Sequence, residues 1–420
     1  MKVLLLNTAD TRGGAARACF RLMEMLLLNG IEANMLSLEG DDSHPNLSHL
    51  GVAAWKKFYH TRFDKYYFRL NGIHPRSLFS TGKSGLTLHT HPLVKNADII
   101  HLHWINRGFL SLHELQALQA TGKKIVWTMH DMWPFTGGCH YNMDCFRFTD
   151  HCGACPCISS SDENDISQKN LRKKQSVYDL QKISFITPSL WLKQEALKSS
   201  LLKNASIKVL GNPINTQLFI PGTKKMLRGK MGIHPEKKVI LFSADNPQDE
   251  RKGLNYLLRA MQALSKQFAS LSEKIELLIL GNTKPEMMRE FPFKVYSTGL
   301  IRNEQDLANA YRVADIYAIP SLQDNLPNTL AEALSSGLPS VGFNTCGIPE
   351  FIKHRENGYL AVLKSEEDFA EGIAWVLEDD ARLESLGIHA RNIAESSLAY
   401  SILSSSFIRF YSDLLNKPGV

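Results

Sequence analysis

The stretch Pro320-Ser-Leu-Gln-Asp-Asn-Leu-Pro-Asn-Thr-Leu-Ala-Glu-Ala-Leu-Ser-Ser-Gly-Leu-Pro-Ser340 decides how this chain is to be read. A strand-like run, Asp315–Ile319, leads into a polar loop carrying Asp324 and Asn325. Pro327 follows, and its fixed φ suits the first position of a helix. The residues from Thr329 to Ser335 favour a helix, and Gly337 stops it. Strand, loop and helix in that order are the unit of a parallel α/β sheet. The start of such a helix offers backbone N–H groups and the positive end of its dipole, which suits a diphosphate. Glu332 sits just over one turn inside. Helical side chains lean toward the N-terminus, so its carboxylate is directed at the loop of Asp324. Two carboxylates beside a phosphate site are equipped to bind sugar hydroxyls.

The same alternation extends both ways. Upstream in this half lie strands at Val239–Ser243, Ile275–Leu280 and Lys294–Ser297, with helices at Leu254–Phe268 and Gln305–Val313; downstream, Ser340–Phe343 is a strand. The first half repeats the plan. Val3–Leu6 is a short apolar run, Ala15–Asn29 has helical periodicity closed by Gly30, and Ile31–Leu38, Asp98–Leu102, Lys124–Met129 and Ile183–Thr187 read as strands. Between the halves, Leu210–Gly222 carries two prolines and two glycines without periodicity, a linker. The expected organisation is an α/β, doubly wound domain over residues 1–211, a linker over 212–222 and a second such domain over 223–397. A helix within 398–420 shows an apolar face of Leu403, Phe407, Phe410 and Leu414 and is expected to pack back on the first domain. Two similar α/β halves predict ligand binding in the cleft between them.

Composition narrows the class. The chain has 420 residues, 44% hydrophobic and 21% charged, ordinary for a globular protein able to bury large cores. Its 48 Lys and Arg against 42 Asp and Glu leave a net charge of +6. That favours anionic ligands without marking a nucleic-acid binder. Runs such as Val3–Leu6 and Met25–Leu28 are far short of the roughly 20 apolar residues a membrane span needs. Asn7, Thr8 and Asp10 interrupt any signal-peptide core. The expectation is a cytoplasmic protein with reduced thiols.

The stretch that opened this reading resembles the Glu-x7-Glu region of glycosyltransferase family 4, with Asp324 in the place of the first acid and Glu332 in that of the second. Gly347-Ile-Pro-Glu350, Asn357-Gly-Tyr-Leu360, Thr298-Gly-Leu300 and Tyr311-Arg-Val-Ala-Asp-Ile-Tyr-Ala-Ile-Pro-Ser321 are similar to that family's flanking segments. The resemblance implies a GT-B fold, two facing Rossmann-like domains with the nucleotide-sugar donor held mainly by the second. It implies that Asp324 binds the transferred sugar and Glu332 the donor ribose, with Asn325, Leu326 and Asn328 lining the donor site. Asp249-Glu-Arg-Lys-Gly-Leu254 is similar to the segment whose cations neutralise the leaving diphosphate; Lys252 matches the family's lysine. Ser243-Ala244 stand where the arginine is usual, and Arg251 is placed to compensate.

In the first half, Thr11-Arg-Gly-Gly-Ala-Ala-Arg17 puts Gly13 and Gly14 at a helix start, where backbone N–H groups can face a ligand. His130 in Thr128-Met-His-Asp-Met-Trp-Pro-Phe-Thr-Gly-Gly138 follows a strand, at the carboxyl edge where α/β sheets place ligands. It resembles the family histidine that contacts the donor sugar. His101 and His103 stand at another strand end, either on the acceptor side or packed. Cys139, Cys145, Cys152 and Cys155 have the spacing Cys-x5-Cys-x6-Cys-x2-Cys, with Cys157, His140 and His151 nearby. They form a candidate structural zinc site, the alternative being a reduced cysteine-rich loop. Trp55-Lys-Lys-Phe-Tyr-His-Thr-Arg-Phe-Asp-Lys-Tyr-Tyr-Phe-Arg69 sets aromatics at helical spacing among cations. Such a helix suits an anionic membrane surface or packs its aromatic face on the first domain.

Taken together, the resemblance implies a retaining glycosyltransferase. It moves a hexosyl unit from a UDP- or GDP-sugar to a hydroxyl of a glycan or lipid-linked acceptor in polysaccharide biosynthesis, with no catalytic cofactor and no nucleic-acid partner. The enzyme is placed in the cytoplasm, at the inner face of the membrane. Two rival readings are a GT-B epimerase or hydrolase acting on the donor alone, and a non-catalytic nucleotide-sugar binding protein.

Overall fold

The computed structural model describes residues 1–40 and 44–416. The chain folds into two compact units, one of Met1–Gly211 with the residues from Ser404 onward, the other of Asn212–Leu403. Residues 417–420 of the expected terminal element lie outside the described residues.

The first unit is built on a seven-stranded parallel sheet. Its strands are β1 (Lys2–Leu6), β2 (Glu32–Ser37), β3 (Leu47–His49), β4 (Ile99–Leu102), β5 (Lys124–Thr128), β6 (Ile183–Thr187) and β7 (Ile207–Val209), in the order β3-β2-β1-β4-β5-β6-β7. The second unit has β8 (Lys238–Ser243), β9 (Ile275–Leu280), β10 (Lys294–Ser297), β11 (Ile316–Ile319), β12 (Ser340–Phe343) and β13 (Gly358–Ala361), in the order β10-β9-β8-β11-β12-β13. The two orders are the same doubly wound arrangement. In each, the strand order reverses beside the unit's first strand, and an α/β sheet binds its ligands outside the carboxyl ends at that point.

The central strands are continuous apolar runs because both faces of each sheet are covered there, whereas the edge strand β10 has no buried residue. In β8, Val239 and Leu241 belong to one hydrophobic cluster while Ile240 and Phe242 belong to another. Register follows: Val3 pairs with Ile99 and Leu6 with Leu102, so β1 and β4 end level with each other. Four helices position the residues of interest: α1 (Gly14–Leu28), α2 (Ala54–Leu70), α3 (Leu254–Gln267) and α4 (Asn328–Ser335). A fifth, α5 (Tyr400–Asn416), runs from the second compact unit into the first. Its Tyr411 is fully buried in the first unit, with its hydroxyl 2.7 Å from His101 Nδ1.

Some local expectations are corrected. Pro327 is the cap before α4 rather than its first residue, because its ψ of 126° is extended. Lys252 closes a short 3-10 turn, Glu250–Lys252, and Gly253 caps α3 with a φ of 73°. The aromatic stripe of the second helix does not pack on the sheet. Phe68 is the sole buried residue of α2, while Trp55 is 69% exposed and Phe58, Tyr59 and Tyr66 are also exposed. Among the described residues, no helix is long and apolar enough to cross a membrane.

Candidate functional site

In the second unit, β11 ends at Ile319 and the loop to α4 carries the first acid. Asp324 is buried and receives two cations: Lys252 Nζ lies 2.5 Å and Arg251 Nη1 3.3 Å from its Oδ2. Burial alone would raise the Asp324 pKa, but Lys252 and Arg251 outweigh it and hold the carboxyl below its ordinary 3.8. Arg251 also donates to the Gln323 carbonyl at 2.8 Å, and Leu322 N–H to the Arg251 carbonyl at 2.8 Å. The 3-10 turn after β8 and the loop after β11 are thus laced together. Gly253 makes this approach feasible, since a Cβ there would lie 1.8 Å from the Pro320 carbonyl oxygen. The positive φ of Gly253 adds to the strain any other residue would bear.

The N-terminus of α4 has no side-chain cap and no acid in its first turn. Asn325, Leu326 and Asn328 are all buried beside it. Asn212 supports this corner by donating to Asn328 Oδ1 at 2.9 Å and to the Leu326 carbonyl at 3.4 Å. Glu332 is fully buried and accepts the Tyr311 hydroxyl at 2.7 Å, so its carboxylate faces the core tyrosine. The structure therefore gathers Asp324, Lys252 and Arg251 on one set of contacts and gives Glu332 a separate partner.

In the first unit, Gly13 caps α1 with a φ of 95°, and Gly14 is its first residue, with nothing within 4 Å of where a Cβ would point. The exits of β1 and β4 are bonded to each other: the Thr8 hydroxyl donates to the Asn106 carbonyl at 2.8 Å, and Trp104 N–H donates to Asn7 Oδ1 at 2.9 Å. His130, just past β5, is half-buried, with its Nε2 2.9 Å from His103 Nδ1 and the two rings stacked. His101 lies behind His103, bonded to the Thr128 and Tyr411 hydroxyls. Both are buried, His103 against His130 and His101 against His103. Loss of water holds the His130 pKa near 4 and that of His101 near 3, and His103 is lowered as well. All three rings are neutral near pH 7 and present hydrogen-bonding nitrogens rather than charge.

Residues 12–218 match the family model described as Glycosyltransferase Family 4, and residues 237–379 match Glycosyl transferases group 1. The chain belongs to the family 4 glycosyltransferases. The putative colanic acid biosynthesis glycosyl transferase WcaC of Escherichia coli is 22% identical over 365 residues, 84% of this glycosyltransferase and 85% of its relative. Sucrose-phosphate synthase from Thermosynechococcus elongatus matches with a TM-score of 0.67 over 99% of each chain at 15% identity. HepE of Anabaena, solved with UDP-glucose, matches with a TM-score of 0.64 over 98% of this chain and 100% of its own, also at 15% identity. These likenesses show the GT-B fold.

The cysteines of this glycosyltransferase are placed more loosely. Cys139, Cys145, Cys152 and Cys155 line one small cavity of about 10 Å³ with Gly137, Arg147 and Phe148. Cys152 and Ala154 adopt left-handed φ values of 55° and 41°, a tight turn within Cys152–Cys155. Burial raises the thiol pKa of Cys139, and that of Cys152 to about 12, so both are protonated thiols here. Among the described residues, no three Cys, His, Asp or Glu groups are drawn together as metal ligands. His140 is corrected as a ligand candidate, because Asp131 (2.7 Å) and Ser80 (2.9 Å) occupy both its ring nitrogens. His151 is exposed and bonded to Asp150.

Sequence reasoning missed Tyr311 as the partner of Glu332 and Asp131 as the hub that takes His140 and the Trp104 indole N–H at 3.0 Å. Only the hydrophobic spacing of Tyr311 pointed inward, and nothing local to Asp131 marked it. The neutral histidines also set a pH dependence. Their pKa values lie below the 6.5 of an exposed histidine, so between about pH 6.5 and 4 the unfolded chain binds more protons than the folded one. Folding stability is expected to fall as pH drops through that window. Thermal melts from pH 7 to 4.5 should show the loss, and it should shrink in His101→Asn; an equal slope in that variant would mean that His101 is not buried neutral.

Proposed function

We propose that this glycosyltransferase moves a hexosyl unit from a nucleoside diphosphate sugar, UDP- or GDP-linked, to a hydroxyl of a lipid-linked glycan, with retention of anomeric configuration. The observation that carries this reading is the pair Arg251 and Lys252 gathered on Asp324 beside the uncapped N-terminus of α4. Arg251 is shared between Asp324 and the half-exposed Asp249, 3.3 Å away, while Lys252 and the positive end of the helix dipole add a field suited to a diphosphate. In the free enzyme Asp324 holds the cations in place. The donor's diphosphate takes over Lys252 and Arg251, which releases Asp324 to a hydroxyl of the transferred sugar. Glu332 binds the ribose in exchange with the Tyr311 hydroxyl. In the first unit, His130 contacts the sugar near its anomeric carbon, and the backbone at Gly13 and Gly14 serves the same ligand.

The bond from the anomeric carbon to the phosphate oxygen breaks, and the bond to the acceptor oxygen forms on the same face. The acceptor's proton passes to the departing phosphate. The protein supplies positioning and electrostatic stabilisation. The solved complex of HepE with UDP-glucose supports a nucleotide-sugar donor, and the name of WcaC supports a role in polysaccharide assembly.

The cysteine cluster extends the proposal. Four thiols around one small cavity, two of them in a Cys-x2-Cys turn, form a structural zinc site whose sulfurs close in on the ion when it binds and give up their protons. The exposed aromatics and cations of α2 bind an anionic bilayer and bring the enzyme to its acceptor at the inner face of the membrane.

Titration calorimetry with UDP and GDP should show one nucleotide binding the wild type. Lys252→Ala should lower turnover about 100-fold, the scale of losing one charge stabiliser, and Glu332→Gln should weaken the nucleotide while the fold is kept. No binding of either nucleotide would sink the donor assignment, and sugar released without acceptor would mark a hydrolase. Metal analysis of the purified protein should give one zinc per chain, lost in Cys152→Ser; a metal-free, equally stable protein refutes the site. Flotation with phosphatidylglycerol vesicles should carry the wild type up and leave a Trp55→Ser, Phe58→Ser variant behind, whereas equal flotation would remove α2 from the membrane contact.

A further inference from the structure

Beside α2 in the first unit lies a cavity of about 630 Å³, inside the roughly 300–1,000 Å³ typical of small-molecule sites. Three residues four apart on α2, His60, Asp64 and Phe68, form one wall. The chain around Phe79 and Ser80 forms a second wall, and the loop Asn106–Leu110 a third. That third wall comes against α2 because residue 108 is glycine: its φ is 77°, and a Cβ would lie 2.3 Å from the His60 backbone. A second cavity of about 480 Å³ adjoins the first, sharing Thr61 and Arg107 with it.

The cavities are tied to the β5 edge. The loop holding Asn106 and Arg107 starts from His103, which bonds His130, and Trp104, which bonds Asp131. Ser80, on the opposite wall, bonds His140, which bonds Asp131. Both walls therefore lead by hydrogen bonds to the residues at and beside His130.

Their chemistry is lopsided. The lining cations are Lys57, Arg62, Lys65, Arg69 and Arg107, and the lining acids are Glu39 and Asp64. Asp64 is already engaged, accepting from the Thr81 hydroxyl and amide. Arg107 lines both cavities, held by a left-handed backbone with φ 53°. Phe68 and Phe79, packed edge to face at 5.9 Å and both buried, give the first cavity an apolar floor.

We propose that these adjoining cavities seat the acceptor, and that the acceptor is an acidic saccharide whose carboxylate or phosphate is held by Arg107 and its neighbouring cations. The proposal rests on the glycosyltransferase reading above and adds the acceptor's class to it. Two cavities sharing one arginine accommodate more than one sugar unit, with the acid at the crest between them. A guanidinium contact to a carboxylate or phosphate is strong and directional.

The test is calorimetric binding to the full chain saturated with UDP, so that the donor site is filled. The probes are trigalacturonate against its carboxyl-reduced form, and galactose 6-phosphate against galactose. The wild type should bind an acidic probe about ten-fold or more tightly than its neutral twin. Arg107→Asn, which tolerates the left-handed backbone, should cut that preference to about three-fold or less, with UDP affinity and melting temperature unchanged. A preference for the phosphate probe alone supports the proposal and names the acid. Equal binding of acidic and neutral probes, no binding of any, or a preference retained in both Arg107→Asn and Arg69→Gln overturns it. UDP binding is read in the same protein, so a failed donor assignment shows separately from a failed acceptor assignment.

Discussion

Parallel pairing of the first and fourth strands of each sheet is the constraint on which the chemistry depends. Because β1 lies beside β4 and β8 beside β11, the loops leaving those strands have no neighbouring crossover between them and open outward together. In the second unit this sets the turn after β8 against the loop after β11, close enough that only glycine fits at position 253. Asp324 then meets Arg251 and Lys252 across a gap of seventy-odd residues of sequence. In the first unit the same adjacency bonds the exits of β1 and β4, and His130 emerges beside them from β5. Residues far apart in the chain become a site because sheet topology delivers them to one edge.

The contacts at these edges differ in kind. The second unit concentrates charge: two cations on one buried carboxylate, beside a helix start. The first unit concentrates neutral polarity, with three histidines that burial keeps uncharged, His101 bonded to two hydroxyls and His103 to His130. A charged corner suits a phosphate, and an uncharged ring of donors and acceptors suits sugar hydroxyls.

Much of this was legible in the sequence, because short apolar runs alternating with amphipathic stretches can hardly be anything but a doubly wound sheet. Ile183–Thr187, Ile275–Leu280, Lys294–Ser297 and Ser340–Phe343 were readable to the residue. The three-residue strands Leu47–His49 and Ile207–Val209 were not, since three residues carry too little pattern and pairing defines them. The aromatic face of α2 looked like core by spacing alone, and only the structure shows that Trp55, Phe58, Tyr59 and Tyr66 are exposed while Phe68 is buried. Asp324 and Lys252 were nameable from the chain; their direct ion pair was not, because it depends on which strands are neighbours. Glu332 turned to Tyr311 for the same reason: position along a helix fixes a side chain's face but not its partner.

The division of the chain also carries an order in time. The second unit, Asn212–Leu403, is complete once residue 403 has been made, whereas the first unit waits for Ser404 and beyond. Until Tyr411 has been made, His101 lacks the hydroxyl that its Nδ1 meets in the folded protein. The half of the enzyme that is translated first is therefore the half that finishes folding last. Newly made chains stalled short of α5's buried Tyr411 carry every residue of the second unit and an incomplete first.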